Sequence, residues 1–324
     1  MRRRNFMARA GAAAMWPSAA LTQQAPKRRV VFVTGTAASD TQTRAWTVEF
    51  ERGLEELGWS QGRNIEIEYR WGEGHLARVR ANAADVAKQA PDAVLALGTL
   101  VVTAMKQATT SIPIVFAVVN DPVAQGIVPN MAHPGGNITG FSLMDYSVLG
   151  KSMELLKELA PGITRSAVLF NPDNYPFYET YVKSIQATPP ASLEVTALRL
   201  RSTAEIEPAL AKLSGSGLVV APDTFANLNR ELLIRTAAQN RIPTTYPYRQ
   251  FVLDGGLMTY APNPADVVRR STAYIDRILK GARPAELPVQ APTKFEFLIN
   301  ARTAKALGLE IPSRLLFTAD EVIE

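Results

Sequence analysis

Cysteine is absent from the 324 residues. That excludes disulfides, thiolate nucleophiles and thiolate metal sites. It also removes the residue on which bacterial lipoproteins are acylated, so a lipid-anchored form is not expected. Histidine occurs only twice, at His75 and His133. Neither has a partner histidine at metal-ligand spacing, and neither neighbours a serine in a nucleophile elbow. Both read as solvated loop residues. There is no phosphate-binding P-loop, and Gly72-Glu73-Gly74 and Gly135-Gly136 lack the spacing of a dinucleotide fingerprint. Paired carboxylates such as Glu55-Glu56 fall on the polar face of a helix. No catalytic residue, metal site or cofactor is therefore expected. No apolar run approaches the roughly 20 residues that span a bilayer. An excess of one charge is missing too. The formal net charge is +5, and Arg2, Arg3, Arg4 and Arg9 supply four of those charges. The remainder is close to neutral and holds no basic tract dense enough for nucleic acid.

What is present starts with an unusual amino terminus. Arg2, Arg3 and Arg4 precede a weakly apolar, alanine-rich stretch from Phe6 to Leu21, and Ser18-Ala19-Ala20 offers small residues for cleavage. Residues 1–24 thus have the layout of an export signal. Arg3-Arg4-Asn5-Phe6-Met7 is similar to a twin-arginine signal, with an ordinary secretory signal as the alternative. Export places the mature chain in the periplasm.

The rest, in a chain 47% hydrophobic and 20% charged, is globular rather than disordered or fibrous. Short β-branched runs alternate with amphipathic stretches. Val30–Val33, Ile65–Tyr69, Asp92–Leu97, Ile114–Val119 and Ile138–Phe141 read as strands. Arg44–Leu57, His75–Gln89 and Leu100–Ala108 read as helices between them. Alternation at this spacing gives parallel strands with crossover helices. The pattern then restarts. Tyr146–Leu159, Tyr175–Ala187, Thr203–Leu213 and Phe225–Gln239 read as helices. Ser166–Phe170, Leu193–Leu198, Gly217–Ala221, Ile242–Tyr246 and Gly255–Tyr260 read as strands. A helix over Asp266–Leu279, a strand over Lys294–Ile299 and a helix over Arg302–Leu307 close the chain. The fold class is α/β, with two Rossmann-like lobes that have parallel central sheets and are joined by a hinge. Residues 28–142 with about 263–285 make the first lobe. Residues 143–262 with about 286–324 make the second.

Polar or turn residues recur where buried strands end: Thr34-Gly35-Thr36, Gly98-Thr99, Asn120-Asp121-Pro122, Ser142, Asn171-Pro172-Asp173 and Pro222-Asp223-Thr224. In parallel sheets these points share one edge, where open α/β sheets bind ligands. Two lobes facing each other along that edge enclose a cleft and can hinge about it. The candidate ligand-binding residues are Thr34, Thr36, Gly98, Thr99, Asn120, Asp121, Ser142, Asn171, Tyr175, Asp223, Tyr246 and Tyr248. Hydroxyls and helix amino-terminal amides suit an anion such as a carboxylate. Asp121 or Asp223 suits an ammonium group. Tyr175, Tyr246 and Tyr248, with Phe177 and Phe225, suit a ring or apolar chain. Thr, Asp and Asn at strand-to-helix turns also serve simply as helix caps. The turn Pro134–Asn137 precedes its strand, lies at the opposite edge and reads as structural.

Several stretches resemble the ABC-transporter substrate-binding proteins of the tryptophan-binding-protein-like group. They are Phe50-Glu51-Arg52-Gly53-Leu54-Glu55-Glu56-Leu57-Gly58-Trp59, Gly62-Arg63-Asn64-Ile65, Glu68-Tyr69-Arg70-Trp71, Ile112-Pro113-Ile114-Val115-Phe116 and Asn120-Asp121-Pro122-Val123. Pro134-Gly135-Gly136-Asn137-Ile138-Thr139-Gly140 and the closing Leu307-Gly308-Leu309 with Ile311-Pro312 complete the match. The resemblance implies the type 1 periplasmic binding fold. It also implies a monomeric receptor that captures a small organic ligand, an aromatic amino acid or related carboxylate, and delivers it to inner-membrane ABC permease subunits. Thr34-Gly35-Thr36 and Leu100 depart from the small residues expected at the site, so the ligand itself does not carry over. A sensor of the same fold feeding a signalling protein is the second reading. An enzyme on the same scaffold is the third, and it lacks a catalytic constellation.

Overall fold

Buried β-branched runs set the frame of a computed structural model that describes residues 26–324 except Asp145; the export segment expected at residues 1–24 lies outside the described residues. The first sheet uses β1 (Arg28–Thr34), β2 (Ile65–Trp71), β3 (Ala93–Leu97), β4 (Ile114–Val119) and β5 (Ile138–Ser142). Its order is β2-β1-β3-β4-β5, with every pair parallel. The crossovers are α1 (Thr41–Glu56), α2 (Leu76–Gln89) and α3 (Thr99–Ala108). β3, β4 and β5 are buried at every position. Strands covered on both faces carry continuous apolar runs of this kind.

The second sheet follows α4 (Tyr146–Leu159). It contains β6 (Arg165–Phe170), β7 (Glu194–Arg199), β8 (Gly217–Val220), β9 (Thr244–Tyr246) and β10 (Met258–Pro262). Between these strands lie α5 (Tyr178–Ala187), α6 (Ile206–Leu210), α7 (Thr224–Leu228), α8 (Arg230–Gln239) and α9 (Arg249–Leu253). The closing elements are α10 (Pro264–Leu279), β11 (Phe295–Asn300), α11 (Ala301–Ala306), α12 (Ser313–Thr318) and β12 (Glu321–Ile323). The sheet order is β12-β11-β10-β9-β8-β6-β7.

The chain leaves the second sheet after β10, packs α10 against α1, β3, β4 and β5 of the first, and then returns as β11. β10 exits at its carboxyl end, and the chain re-enters from that same end. β11 must therefore run antiparallel to β10, a departure from the all-parallel expectation. The crossover segments lie side by side: the Ser142 amide donates to the Gln290 carbonyl at 2.8 Å, and the Gln290 amide donates to the Gly140 carbonyl at 3.0 Å. Gly140 is required here. A Cβ at this position would lie 2.2 Å from the Phe116 carbonyl oxygen on β4.

Other expectations shift in detail. The single helix read over residues 225–239 is two helices broken at Asn229, whose Nδ2 donates to the Phe225 carbonyl at 2.9 Å and so ends α7. The helix read over 203–213 is a 3-10 turn followed by the short α6. α9, α12 and β12 have no counterpart in the sequence reading.

Candidate ligand-binding cleft

The carboxyl ends of β1, β3 and β4 face those of β6, β8 and β9 across a shared cavity of about 40 Å³. Thr34, Gly35 and Thr36, Gly98 and Thr99, and Val118 and Asn120 form the first-lobe wall. Tyr175, Pro222, Asp223 and Thr224, with Tyr248, form the second. Eight of the twelve expected residues thus line one cavity: Thr34, Thr36, Gly98, Thr99, Asn120, Tyr175, Asp223 and Tyr248.

At the start of α3, Gly98 takes φ +85° and supplies no side chain to cap the helix. No side chain caps the first amides of α3, and the helix dipole there favours an anion.

The end of β4 is irregular. Val118 has φ +58°, an unusual value for a β-branched residue and a local store of strain. The pairing with β5 shifts register between Phe116 and Val119. The shift sends neighbouring side chains to different places. Asn120 lines the cleft, where its Nδ2 donates to the Tyr178 hydroxyl of the other lobe at 3.0 Å. Its Oδ1 is buried and has no partner. Tyr178 in turn donates to the Pro222 carbonyl at 2.7 Å. Asp121, at φ +39°, turns away. Its carboxylate accepts from the Ala124 amide at 3.0 Å, and with Ser142 it lines a separate cavity beside Met144, Pro292 and Phe295.

Asp223 is fully buried at the end of β8. One oxygen accepts from the Ala226 amide at 2.5 Å and caps α7, and the other accepts from the Asn171 amide at 2.9 Å. Burial pushes its carboxyl up to about 7, outweighing the backbone amides of Ala226, Asn171 and Phe225, which pull it down. Among the described residues, no lysine or arginine is bonded to it. The Asn227 side chain, also in the cavity wall, has a buried Oδ1 without a partner.

The tyrosines are neutral phenols. Burial pushes Tyr175 up to about 12, helped by the nearby Asp223, and raises Tyr178 and Tyr248 further. The Tyr175 hydroxyl lies 3.0 Å from the Thr224 Oγ1.

The structure does not bring four expected residues into this cavity. Asp121 and Ser142 are diverted by the β4 irregularity. Asn171 spends its side chain locally: Oδ1 accepts from the Asp173 and Asn174 amides at 2.9 and 3.3 Å, and Nδ2 donates to the Arg201 carbonyl at 3.3 Å. Tyr246 stacks on Phe251 with centroids 5.4 Å apart. Of the further aromatics, Phe177 packs against Tyr178 at 4.5 Å and Phe225 is buried in the core.

Leu100, marked from sequence as departing from the small residue expected at the site, lines the cavity, as do Trp46, Leu97, Val101 and Asn227, which were not among the candidates. Val101 and Asn227 lie in the first turn after a strand end, so extending each motif by one helical turn finds them. Trp46 carries no such signal, because its spacing in α1 reads as core.

Comparison with known proteins follows this geometry. The family model described as "ABC transporter substrate binding protein" matches residues 37–323. A curated tyrosine-binding protein from Clostridioides difficile (strain R20291) is 26% identical over 263 residues, covering 81% of this chain and 76% of the relative. A conserved domain protein from Vibrio cholerae superimposes with a TM-score of 0.84 at 25% identity, covering 91% of this chain and 99% of the other. The ABC domain from Streptococcus pneumonia in complex with L-Trp superimposes with a TM-score of 0.83 at 22% identity, covering 92% and 100%. With two α/β lobes, a cleft at their facing strand ends and a family match over most of its length, this chain belongs to the ABC transporter substrate-binding protein family.

Proposed function

We propose that the protein is a monomeric extracytoplasmic receptor that closes on an aromatic α-amino acid and delivers it to the permease of an ABC importer. The polarity of the cavity wall carries this reading. Asp223 and the unpartnered amide oxygens of Asn120 and Asn227 are all acceptors, and a buried acceptor left unmet costs about 1–3 kcal/mol. The open start of α3 offers only donors. A zwitterion meets both needs, with its ammonium at the acceptors and its carboxylate at the α3 amides. Trp46, Tyr175 and Tyr248 then supply flat apolar surface for a ring.

The relatives support the ligand class: one is named for tyrosine and one holds L-Trp. The basic-then-apolar residues 1–24 support export.

The test is native mass spectrometry of the purified chain for a retained ligand, then calorimetry with L-tyrosine, L-tryptophan and their deaminated acids. A bound amino acid at 100 times its Kd adds about 2.7 kcal/mol of stability. Equal binding of the deaminated acids, or binding of sugars alone, overturns the ligand assignment. Amino-acid uptake unchanged by deletion of the gene overturns the transport role.

A further inference from the structure

The two oxygens of Asp40 do different things. Asp40 is the amino-terminal cap of α1, and its Oδ1 accepts from the Thr43 amide at 2.8 Å and from the Thr43 hydroxyl at 3.0 Å. Thr43 Oγ1 is 2.5 Å from Thr36 Oγ1, which is 3.0 Å from Thr34 Oγ1. A carboxylate only accepts, whereas each hydroxyl has one proton to give. The chain therefore has one direction: Thr43 donates to Asp40, Thr36 to Thr43 and Thr34 to Thr36. Every hydroxyl proton is spent within the chain. Thr34 and Thr36, which line the cavity, present only lone pairs to a ligand.

Asp40 Oδ2 faces the other lobe. It lies 3.7 Å from Arg230 Nη1, and both side chains are mostly buried, at 24% and 13% exposure. Arg230 is set in place by its own lobe: its Nε donates to Asp254 at 2.6 Å and its guanidinium lies over the Phe251 ring at 5.9 Å. Asp40 and Arg230 share a second cavity that meets the first at Thr36 and Asn227. The pair therefore stands at the mouth of the cleft.

We propose that Asp40 is a positioning residue that joins closure to ligand selection: Oδ2 receives Arg230 when the lobes close, and Oδ1 orients the hydroxyl chain so that Thr34 and Thr36 select a ligand group that donates. The proposal rests on the cleft being the ligand site. The two roles separate cleanly by mutation. Arg230→Gln removes the latch and leaves the hydroxyl chain. Thr43→Val breaks the chain and leaves both the latch and the cap, which the Thr43 amide makes. Asp40→Asn keeps a good capping residue while discharging the latch.

The chain has no cysteine, so spin labels at Val48→Cys and Lys183→Cys, exposed positions on the two lobes, report the interlobe distance without competing sites. In the ligand-free protein, Arg230→Gln shifts the distance distribution toward the open form, and Thr43→Val leaves it unchanged. With L-tyrosine and L-tryptophan as probes, Arg230→Gln raises Kd about fivefold through a faster off-rate. Thr43→Val raises it about tenfold. Adding Arg230→Gln to Asp40→Asn has no further effect on the distances. A ligand-free distribution unmoved by Arg230→Gln, wild-type affinity in Thr43→Val, or multiplying effects of Asp40→Asn and Arg230→Gln overturns the proposal. The distance measurement needs no ligand, so failure of amino acids to bind overturns the cleft reading and not the latch.

Discussion

Ligand affinity should fall with pH, and Asp223 sets by how much. In the ligand-free cleft its carboxyl sits at about 7, because burial outweighs the amides that bond it. An ammonium ligand binds the ionised form. Below pH 7 the protein must lose a proton to bind, so Kd rises tenfold per pH unit. Above pH 7 the proton is already gone and Kd is flat. Binding at pH 6 is then about tenfold weaker than at pH 8, and at pH 5 about 90-fold weaker. Calorimetry in buffers of different ionisation enthalpy measures the proton directly, with about 0.9 released per ligand at pH 6 and about 0.1 at pH 8. Asp223→Asn should abolish both the slope and the release. A Kd constant from pH 5.5 to 8 with no proton release refutes Asp223 as the ammonium partner.

The same group makes the empty cleft less stable at high pH. An acid whose folded value lies above its unfolded value stabilises the fold while protonated. That contribution is full below pH 3.8 and is lost as pH rises through 7. A shift of this size is worth about 4 kcal/mol at 1.36 kcal/mol per unit. The thermal midpoint of the ligand-free protein should therefore drop between pH 5 and 8, and saturating amino acid should recover most of the drop. A midpoint drop of the same size in Asp223→Asn assigns the effect to other groups.

Three further outcomes follow from the geometry. Asp121→Ala should leave Kd for L-tryptophan unchanged, since its carboxylate bonds Ala124 outside the cavity; a calorimetric loss of tenfold or more contradicts that. Asn120→Ala removes the side-chain bond to Tyr178 across the cleft and should raise Kd about tenfold, again by calorimetry. Gly140→Ala places a methyl 2.2 Å from the Phe116 carbonyl, and the chain should lose soluble folded yield or several kcal/mol in a urea melt. A wild-type melt shows that β4 and β5 part more easily than their burial implies.

How much of this was legible in the sequence depends on which force decides each feature. The strands were legible because β3, β4 and β5 are buried on both faces, and burial writes an uninterrupted apolar run. β12 and α9 were not, because the edge strand Glu321–Ile323 is only half buried and α9 has just five residues. The break between α7 and α8 depends on one bond from Asn229 to a carbonyl, in a stretch whose composition suits one longer helix. The cleft was legible as an edge, since parallel strands put all their carboxyl ends together. The members of that edge were not, because membership depends on backbone angles that no residue pattern specifies. Asn120 and Asp121 are adjacent polar residues with equal claims from sequence. The positive φ of Val118 and Asp121 sends one into the cleft and the other behind it.

That irregularity also explains why the acidic partner of the ligand stands on the second lobe. With Asp121 diverted, the first-lobe wall holds the α3 amides and the hydroxyls of Thr34, Thr36 and Thr99, but no carboxylate. Among the described residues, Asp223 supplies the one carboxylate in the cavity wall, from the opposite side. The carboxylate end of an amino acid therefore meets the α3 amides of the first lobe, while its ammonium meets acceptors from both lobes, Asp223 on one side and Asn120 on the other. Neither lobe alone offers a zwitterion all of its partners, so part of the binding free energy is gained only as the cleft shuts. A ligand can shift an open–closed equilibrium only by its differential affinity for the two states. Dividing the partners between lobes makes that difference large. Deaminated analogues, which lose the ammonium contact to Asp223 but keep the α3 and ring contacts, should close the lobes less, and the interlobe label distance should shift less than it does with L-tyrosine.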